Sequence, residues 1–276
     1  MRRGDTGPNA LRDTVRLAEV TESLGYRRFW VAEHHSSRTF VGTSPEILTS
    51  HILSATSKIR VGSGGVLLSH YSPLKIAEQF RTLESLHPGR VDLGIGRAPG
   101  GSKHVANALA NSRPMAQSDD FPQQVADLAN FLHGTMDSGH QYSDISVQPG
   151  PPSNTNPEIW LLGSSDISAK LAASLGLSYA YADFFGDIRD RGPDIVNMYR
   201  EEFQPSKFLT TPRAMIALQL LCAPSAEEAE LLGSSRNLNK ASGVVGGLPQ
   251  GLLPPEEASI FPRNIESTEW EAKFRQ

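Results

Sequence analysis

Arg90-Val91-Asp92-Leu93-Gly94-Ile95-Gly96-Arg97 reads as a buried strand that ends in a glycine and an arginine, with Pro88-Gly89 closing the helix before it. An equal interval upstream begins a second buried strand, from Ile59 through Leu68, and the same interval again leads to Arg28 and the run Phe29-Trp30-Val31-Ala32. That run is apolar without alternation, as a strand covered on both faces of a parallel sheet should be. Between these strands lie helices opened by Ser44-Pro45-Glu46 and by Ser72-Pro73, each a serine N-cap followed by proline at the first helical position. Strand, helix, strand at one βαβ unit per interval is the grammar of a parallel α/β fold, and the regularity favours a barrel over an irregular sheet.

The pattern extends in both directions. Leu11, Val15, Ala18 and Leu24 fall on helical spacing over Ala10 to Leu24, between Pro8-Asn9 and Gly25. Past Pro157 come the strand Ile159 to Leu162, the helix Ile167 to Leu175, the strand Tyr179 to Phe185, the helix Pro193 to Phe203 and the strand Ala214 to Cys222. Ser225-Ala226-Glu227-Glu228 makes a capping box for a further helix. Residues 100–157, rich in Gly, Ser, Asn, Asp and Pro around a helix at Phe121 to Leu132, read as an excursion over the barrel mouth, and 234–276 as an irregular tail. The expected fold is α/β, a TIM (β/α)8-type barrel in one domain over 1–276 that lacks its first and last strands. A doubly wound sheet would carry GxGxxG after its first strand, and none stands there.

Composition narrows the function. The formal net charge of -4 and the scattered Lys and Arg argue against nucleic acid as a partner. No apolar run approaches a membrane span, and no apolar segment follows Arg2-Arg3, so a cytoplasmic enzyme is expected. Cys222 is the only cysteine, which excludes an internal disulfide; it is expected to be a buried small residue on a strand.

In a barrel, chemistry sits at the C-terminal ends of the strands. Those ends carry Glu33-His34-His35, Ser63-Gly64-Gly65, Gly96-Arg97 and Gly163-Ser164-Ser165-Asp166. Neighbouring residues of an extended chain face opposite sides, so only one of His34 and His35 can face a common site while the other packs or orients. There is no HxxxH or CxxC spacing, so no metal is expected. Arg97, before Ala98-Pro99-Gly100-Gly101, can clamp a phosphate or form a salt bridge on the rim. Ser164 and Ser165 offer hydroxyls and helix amides to an anion, or one of them is an N-cap.

These motifs, in this order, resemble the bacterial luciferase-like, flavin-dependent monooxygenase superfamily, in particular its single-component, MsnO8-like group. The resemblance rests on Phe29 to His35, Thr56 to Val66, Ala77 to Leu83, His87 to Pro99 and Trp160 to Ser165, and covers roughly residues 10–225. It implies a barrel that binds reduced FMN, with O2 as co-substrate, a small organic substrate and a separate flavin reductase; a homo-oligomer is compatible with it. It places the active-site histidine on His34, with Glu33 among the cofactor contacts. The flavin wall, which in relatives includes a non-proline cis peptide, falls on Ser63-Gly64-Gly65, where glycine would leave room for a flat ring. The phosphate site falls on Arg97, Gly163, Ser164 and Ser165. Two other readings stay open, a deazaflavin-dependent hydride-transfer enzyme of the same superfamily and a non-catalytic flavin-binding protein. The resemblance also implies a strand before Ala10 and another after Gln276.

Overall fold

The computed structural model describes residues 1, 3–37, 39–98, 100–110, 120–150, 155–184, 191–245 and 252–260. Six strands form one parallel sheet: β1 (Arg28–Val31), β2 (Arg60–Leu67), β3 (Val91–Gly96), β4 (Glu158–Gly163), β5 (Ser178–Ala182) and β6 (Ala214–Ala217). Their order in the sheet is their order in the chain. A doubly wound sheet reverses direction at a switch point, whereas here each strand joins the same growing edge, which is the winding of a (β/α)8-type barrel. Among the described residues β1 and β6 are each paired on one side only.

The helices are α1 (Gly7–Ser23), α2 (Pro45–Ala55), α3 (Pro73–Leu86), α4 (Lys103–Ala110), α5 (Phe121–His133), α6 (Asp166–Ser174), α7 (Gly192–Glu201), α8 (Ala226–Val245) and α9 (Pro255–Ala258). Ser44 and Ser72 stand at the expected N-cap positions before proline, although neither hydroxyl makes a capping bond. None of the described helices is long and apolar enough to cross a membrane.

Alternation divides the strand residues between two faces. Val31, Val61, Leu93, Ile95, Ile159, Leu161, Tyr179 and Tyr181 join one core with the helices, including Ile52, Leu53, Phe80 and Ala172. The other face carries Arg28, Trp30, Arg60, Asp92 and Trp160, linked to one another by polar and ring contacts. Helix α5 belongs to the first core through Phe121, Val125, Leu128, Phe131 and Leu132, and lies against α3. The expected excursion over the mouth is corrected here: α5 is the crossover helix between β3 and β4, obscured in the sequence by its Gly- and Ser-rich flanks. Arg81 fastens it, donating to the carbonyls of Phe131 (2.9 Å), Leu132 (2.6 Å) and Val147 (3.0 Å).

The expected strand Ala214 to Cys222 stops at Ala217, because β5 supplies a ladder only as far as Ala182 and the last rung is Asp183 N–H to Ala217 O, 3.0 Å. Cys222 is accordingly exposed, not buried on a strand. Phe185 lies outside the described residues.

Tertiary contacts divide the chain into two units, one of 13–36 and 42–217 that holds the whole sheet, the other of 1–12, 37–41 and 218–276. In the second, α8 continues through Gly233 to Val245, so the irregular tail expected over 234–276 begins as helix. A glycine inside a helix costs about 1 kcal/mol. Leu238, buried with Leu253 and Ala258, and the hydroxyls of Ser234 and Ser235 on the carbonyls of Pro255 and Leu253 outweigh it. The charged stretch 266–275 lies outside the described residues.

Candidate functional site

At the N-terminal ends of the strands the concave face is filled by charge. Asp92, fully buried, accepts from Arg28 Nε (2.9 Å), Arg60 Nε (2.8 Å) and the Trp30 indole (2.9 Å). Glu158 joins Arg28 to Arg213, the latter at 2.8 Å; burial pushes its carboxyl up, but Arg60, Arg28 and Arg213 together hold it below its ordinary range. That end is a closed floor, since buried ions persist only when paired. The charged first and second positions of otherwise buried strands were the sequence signal for it.

The other end of the sheet is where the expected site residues lie. β1 ends at Val31; alternation from Arg28 and Trp30, continued three residues past that end, assigns His34 to the concave face and Glu33 and His35 to the helix side. The Glu33 to His35 bond, Oε1 to Nε2 at 2.7 Å, agrees with this division. Glu33 is buried, and its carboxylate also accepts from the Tyr71 hydroxyl (2.6 Å) and the Leu67 amide (2.9 Å). Expected among cofactor contacts, it is instead engaged within the protein, joining the turn after β1 to the end of β2. His34 is half-buried; burial pushes its imidazole below its ordinary range, Glu33 opposes that shift and His35 adds to it. Burial also raises Glu46 nearby, with the Glu33 charge contributing in the same direction.

Strand β2 carries a bulge, in which Ser63 opposes Leu93 and Val66 opposes Ile95, and the Gly64–Gly65 bond within it is cis. A Cβ on Gly64 would meet Trp30 at 3.2 Å, and one on Gly65 would meet the Gly94 carbonyl oxygen at 2.7 Å. The backbone of β3 therefore requires glycine at 65, while at 64 a side chain would crowd Trp30 and a ring laid against the bulge would be an additional reason for glycine. Ser63 is turned inward to the sheet, its hydroxyl donating to Gly94 O at 2.8 Å.

Arg97 follows β3, exposed, and among the described residues no hydrogen bond or ion pair engages its guanidinium. The β3 to β4 register pairs Ile95 with Leu161, so two residues further on Arg97 is level with Gly163. Beyond it, Gly100 adopts φ +61°, and a Cβ there would lie 2.1 Å from Leu67 Cδ1. The loop crosses to β1, where His35 N–H donates to Gly100 O at 2.9 Å, while His34 N–H donates to Gly42 O at 2.9 Å. Gly100 and Gly101 thus pack against the end of β2 and the β1 turn. This loop brings the histidines, the end of β2 and Arg97 into one rim.

Ser165 is the N-cap of α6, its hydroxyl accepting from Ser168 N in a reciprocal capping box, so of the two serines Ser165 is the capping one. Ser164, half-buried beside it, follows Gly163, where a Cβ would collide with Ser168 Oγ at 2.2 Å. Tyr179, its phenol pushed up to about 12 chiefly by burial, donates to Gly163 O at 3.1 Å and steadies this turn. Tyr71, Trp30 and Tyr179 were missed by the sequence reading; each acts through a partner on another strand, a relation that no single stretch displays.

Comparison with known proteins follows the same residues. The profile of the family described as luciferase-like monooxygenase matches residues 2–236. The protein YwcH of Bacillus subtilis (strain 168) is 45% identical over 255 residues, 92% of this chain and 75% of that one. A luciferase-like monooxygenase of Escherichia coli (strain K12) is 37% identical over 253 residues, 89% of this chain and 72% of that one. The crystal structure of apo-MsnO8 superposes with a TM-score of 0.84 at 38% identity, covering 96% of this chain and 76% of that chain.

Proposed function

Since the chain belongs to the luciferase-like monooxygenase family, we propose that it is a monooxygenase that takes reduced FMN and O2 to a small organic substrate, supplied with flavin by a separate reductase in the cytoplasm. The observation that carries this reading is Arg97, an exposed guanidinium without a partner among the described residues, at the end of β3 and level with Gly163 and the start of α6. A charged group left unengaged on the rim of a buried strand suits an anion such as the terminal phosphate of FMN, which guanidinium binds bidentately. Ser164 and the first amides of α6 would complete that contact. Asp166 in the first turn of α6 makes the positive charge of Arg97 necessary to it.

The isoalloxazine ring would lie on the concave face of β2 and β3 against the Gly64–Gly65 bulge, above Trp30. When bound, the reduced flavin supplies the electrons that activate O2. The protein's part is to hold the ring, exclude water and handle protons. His34 suits the last task, as burial keeps its imidazole neutral and able to accept a proton near neutral pH. Glu33 and His35 stand behind it as supports.

Anaerobic titration of the purified protein with reduced FMN tests the reading, with NADPH and reduced deazaflavin as parallel titrants. Saturable binding of reduced FMN, followed on aeration by substrate-dependent oxygen uptake, is the expected result. Binding of NADPH alone would overturn the cofactor assignment, and binding of deazaflavin alone would replace it with hydride transfer.

A further inference from the structure

We infer that Tyr71 is a positioning residue of the proposed flavin site: its phenol fastens the Glu33 carboxylate, and that carboxylate fastens the turn bearing His34 to the end of β2. The inference rests on the reading of that site given above.

Glu33 is the only strand-end carboxylate of the described rim that receives three donors at once. Oε1 accepts from Tyr71 Oη at 2.6 Å and His35 Nε2 at 2.7 Å, and Oε2 accepts from Leu67 N at 2.9 Å. Its side chain is wholly shielded from solvent. Bonds to a shielded carboxylate are among the stronger ones available to a side chain, and they fix direction as well as distance. The phenol is the donor: burial first, then the bond to Glu33, pushes its ionisation far above the ordinary range.

The consequence lies in what each bond joins. Leu67 ends the strand that carries the Gly64–Gly65 bulge, and one turn of 3-10 helix, Leu68–His70, leads from it to Tyr71. Glu33 immediately precedes His34. The backbone of the histidine turn is tied to Gly42 and Gly100, while the side chain of Glu33 is its link to β2. Tyr71 therefore sets the spacing between a proton-handling imidazole on β1 and the ring-bearing wall on β2, without itself facing the concave side. Misplacement of a reacting group by about 1 Å can lower a rate about a hundredfold.

A purely structural tyrosine would act through its ring, which packs against the core and stands edge-on to His70 at 6.1 Å. Tyr71→Phe keeps those contacts and removes only the hydroxyl. In this variant we expect cooperative unfolding, an affinity for reduced FMN within about threefold of the parent, an unchanged KM and a kcat lower by about ten- to a hundredfold. Glu33→Gln, which retains an acceptor for Leu67 N–H, should give the same pattern and serves if Tyr71→Phe does not fold.

A second readout needs no flavin. In nitrogen-15 spectra of the imidazoles, the His35 Nε2 proton held by Glu33 should shift in Tyr71→Phe and vanish in Glu33→Gln. A parent-like kcat, a parent-like imidazole spectrum, or a fall in kcat matched by an equal loss of flavin affinity would each overturn the inference. Failure of the parent protein to bind reduced FMN would instead overturn the proposed function, while the imidazole spectrum would still report on the clamp.

Discussion

The guanidinium of Arg81 donates to the carbonyl of Leu132 through both Nε, at 2.9 Å, and a terminal nitrogen, at 2.6 Å. A cation on α3 thereby completes the C-terminal turn of α5, where helix carbonyls lack partners within the helix.

Arg81→Met should consequently unfold early. The side chain is 2% exposed and serves the carbonyls of Phe131, Leu132 and Val147. Each buried acceptor left without a donor costs about 1–3 kcal/mol. A loss of about 3–5 kcal/mol in urea-induced unfolding is expected, with Arg81→Lys intermediate because one ammonium cannot span three carbonyls. A loss below about 1 kcal/mol would show that water replaces the guanidinium.

Arg97→Ala and His34→Ala should separate binding from turnover. Loss of a charge-assisted bond to phosphate costs roughly 1.5–3 kcal/mol, or about one to two decades in affinity for reduced FMN. Loss of His34 should leave that affinity alone and slow turnover by about 10²–10⁴-fold. Anaerobic titration and steady-state kinetics on both variants decide the matter, and equal loss of binding in the two would contradict the division of roles.

Glu22 predicts the acid side of the stability profile. Its carboxylate accepts from the amides of Ile59, Lys58 and Ser57, and those bonds, Ile59 first, lower its pKa to about 2. A carboxyl depressed on folding contributes stability above its unfolded pKa, and that contribution fades as pH falls from about 4.5 toward about 2. Thermal unfolding of Glu22→Gln across this window should depend less steeply on pH than that of the parent. Parallel profiles would refute the assignment.

Asp92→Asn should be more damaging than Glu158→Gln. Asp92 has 0% exposure between Arg28 and Arg60, and an amide leaves the two guanidiniums to share the partly exposed Glu158 alone. Removing one member of a buried ion cluster costs about 3–5 kcal/mol. Glu158, partly exposed at 25%, should cost less. Chemical denaturation of the two variants gives the comparison directly, and an order reversed from this one would mean that the floor is held from Glu158.

The residues explain why some of this could be read from the chain and some could not. Phe29-Trp30-Val31 and Val91 to Gly96 announced strands because burial on two faces leaves an unbroken apolar run. The cis bond at Gly64–Gly65 fell where the family resemblance placed it. Glu33 bound to Tyr71 could not be read, since the two meet only when β1 and β2 lie side by side. The glycines of β2 and of 100–101 were visible, but their reason was not: they make room for Trp30, Gly94 and the β1 turn. Cys222 was misplaced because an apolar run predicts a strand without saying whether a neighbouring strand is there to receive it.

The charged floor has a meaning for how the sheet assembles. Its members are drawn from four successive strands, with Arg28, Arg60, Asp92 and Glu158, and from Arg213 just before β6, all far apart in sequence. An intermediate with β1 to β3 in place would satisfy Asp92 but leave the far side of Arg28 without Glu158, and one beginning at β4 would leave Glu158 with Arg213 but without Arg28 and Arg60. Half-built sheets are thus penalised by their own unpaired ions, the route to the native state is weighted toward late, long-range closure, and the six strands should form and melt as one cooperative unit.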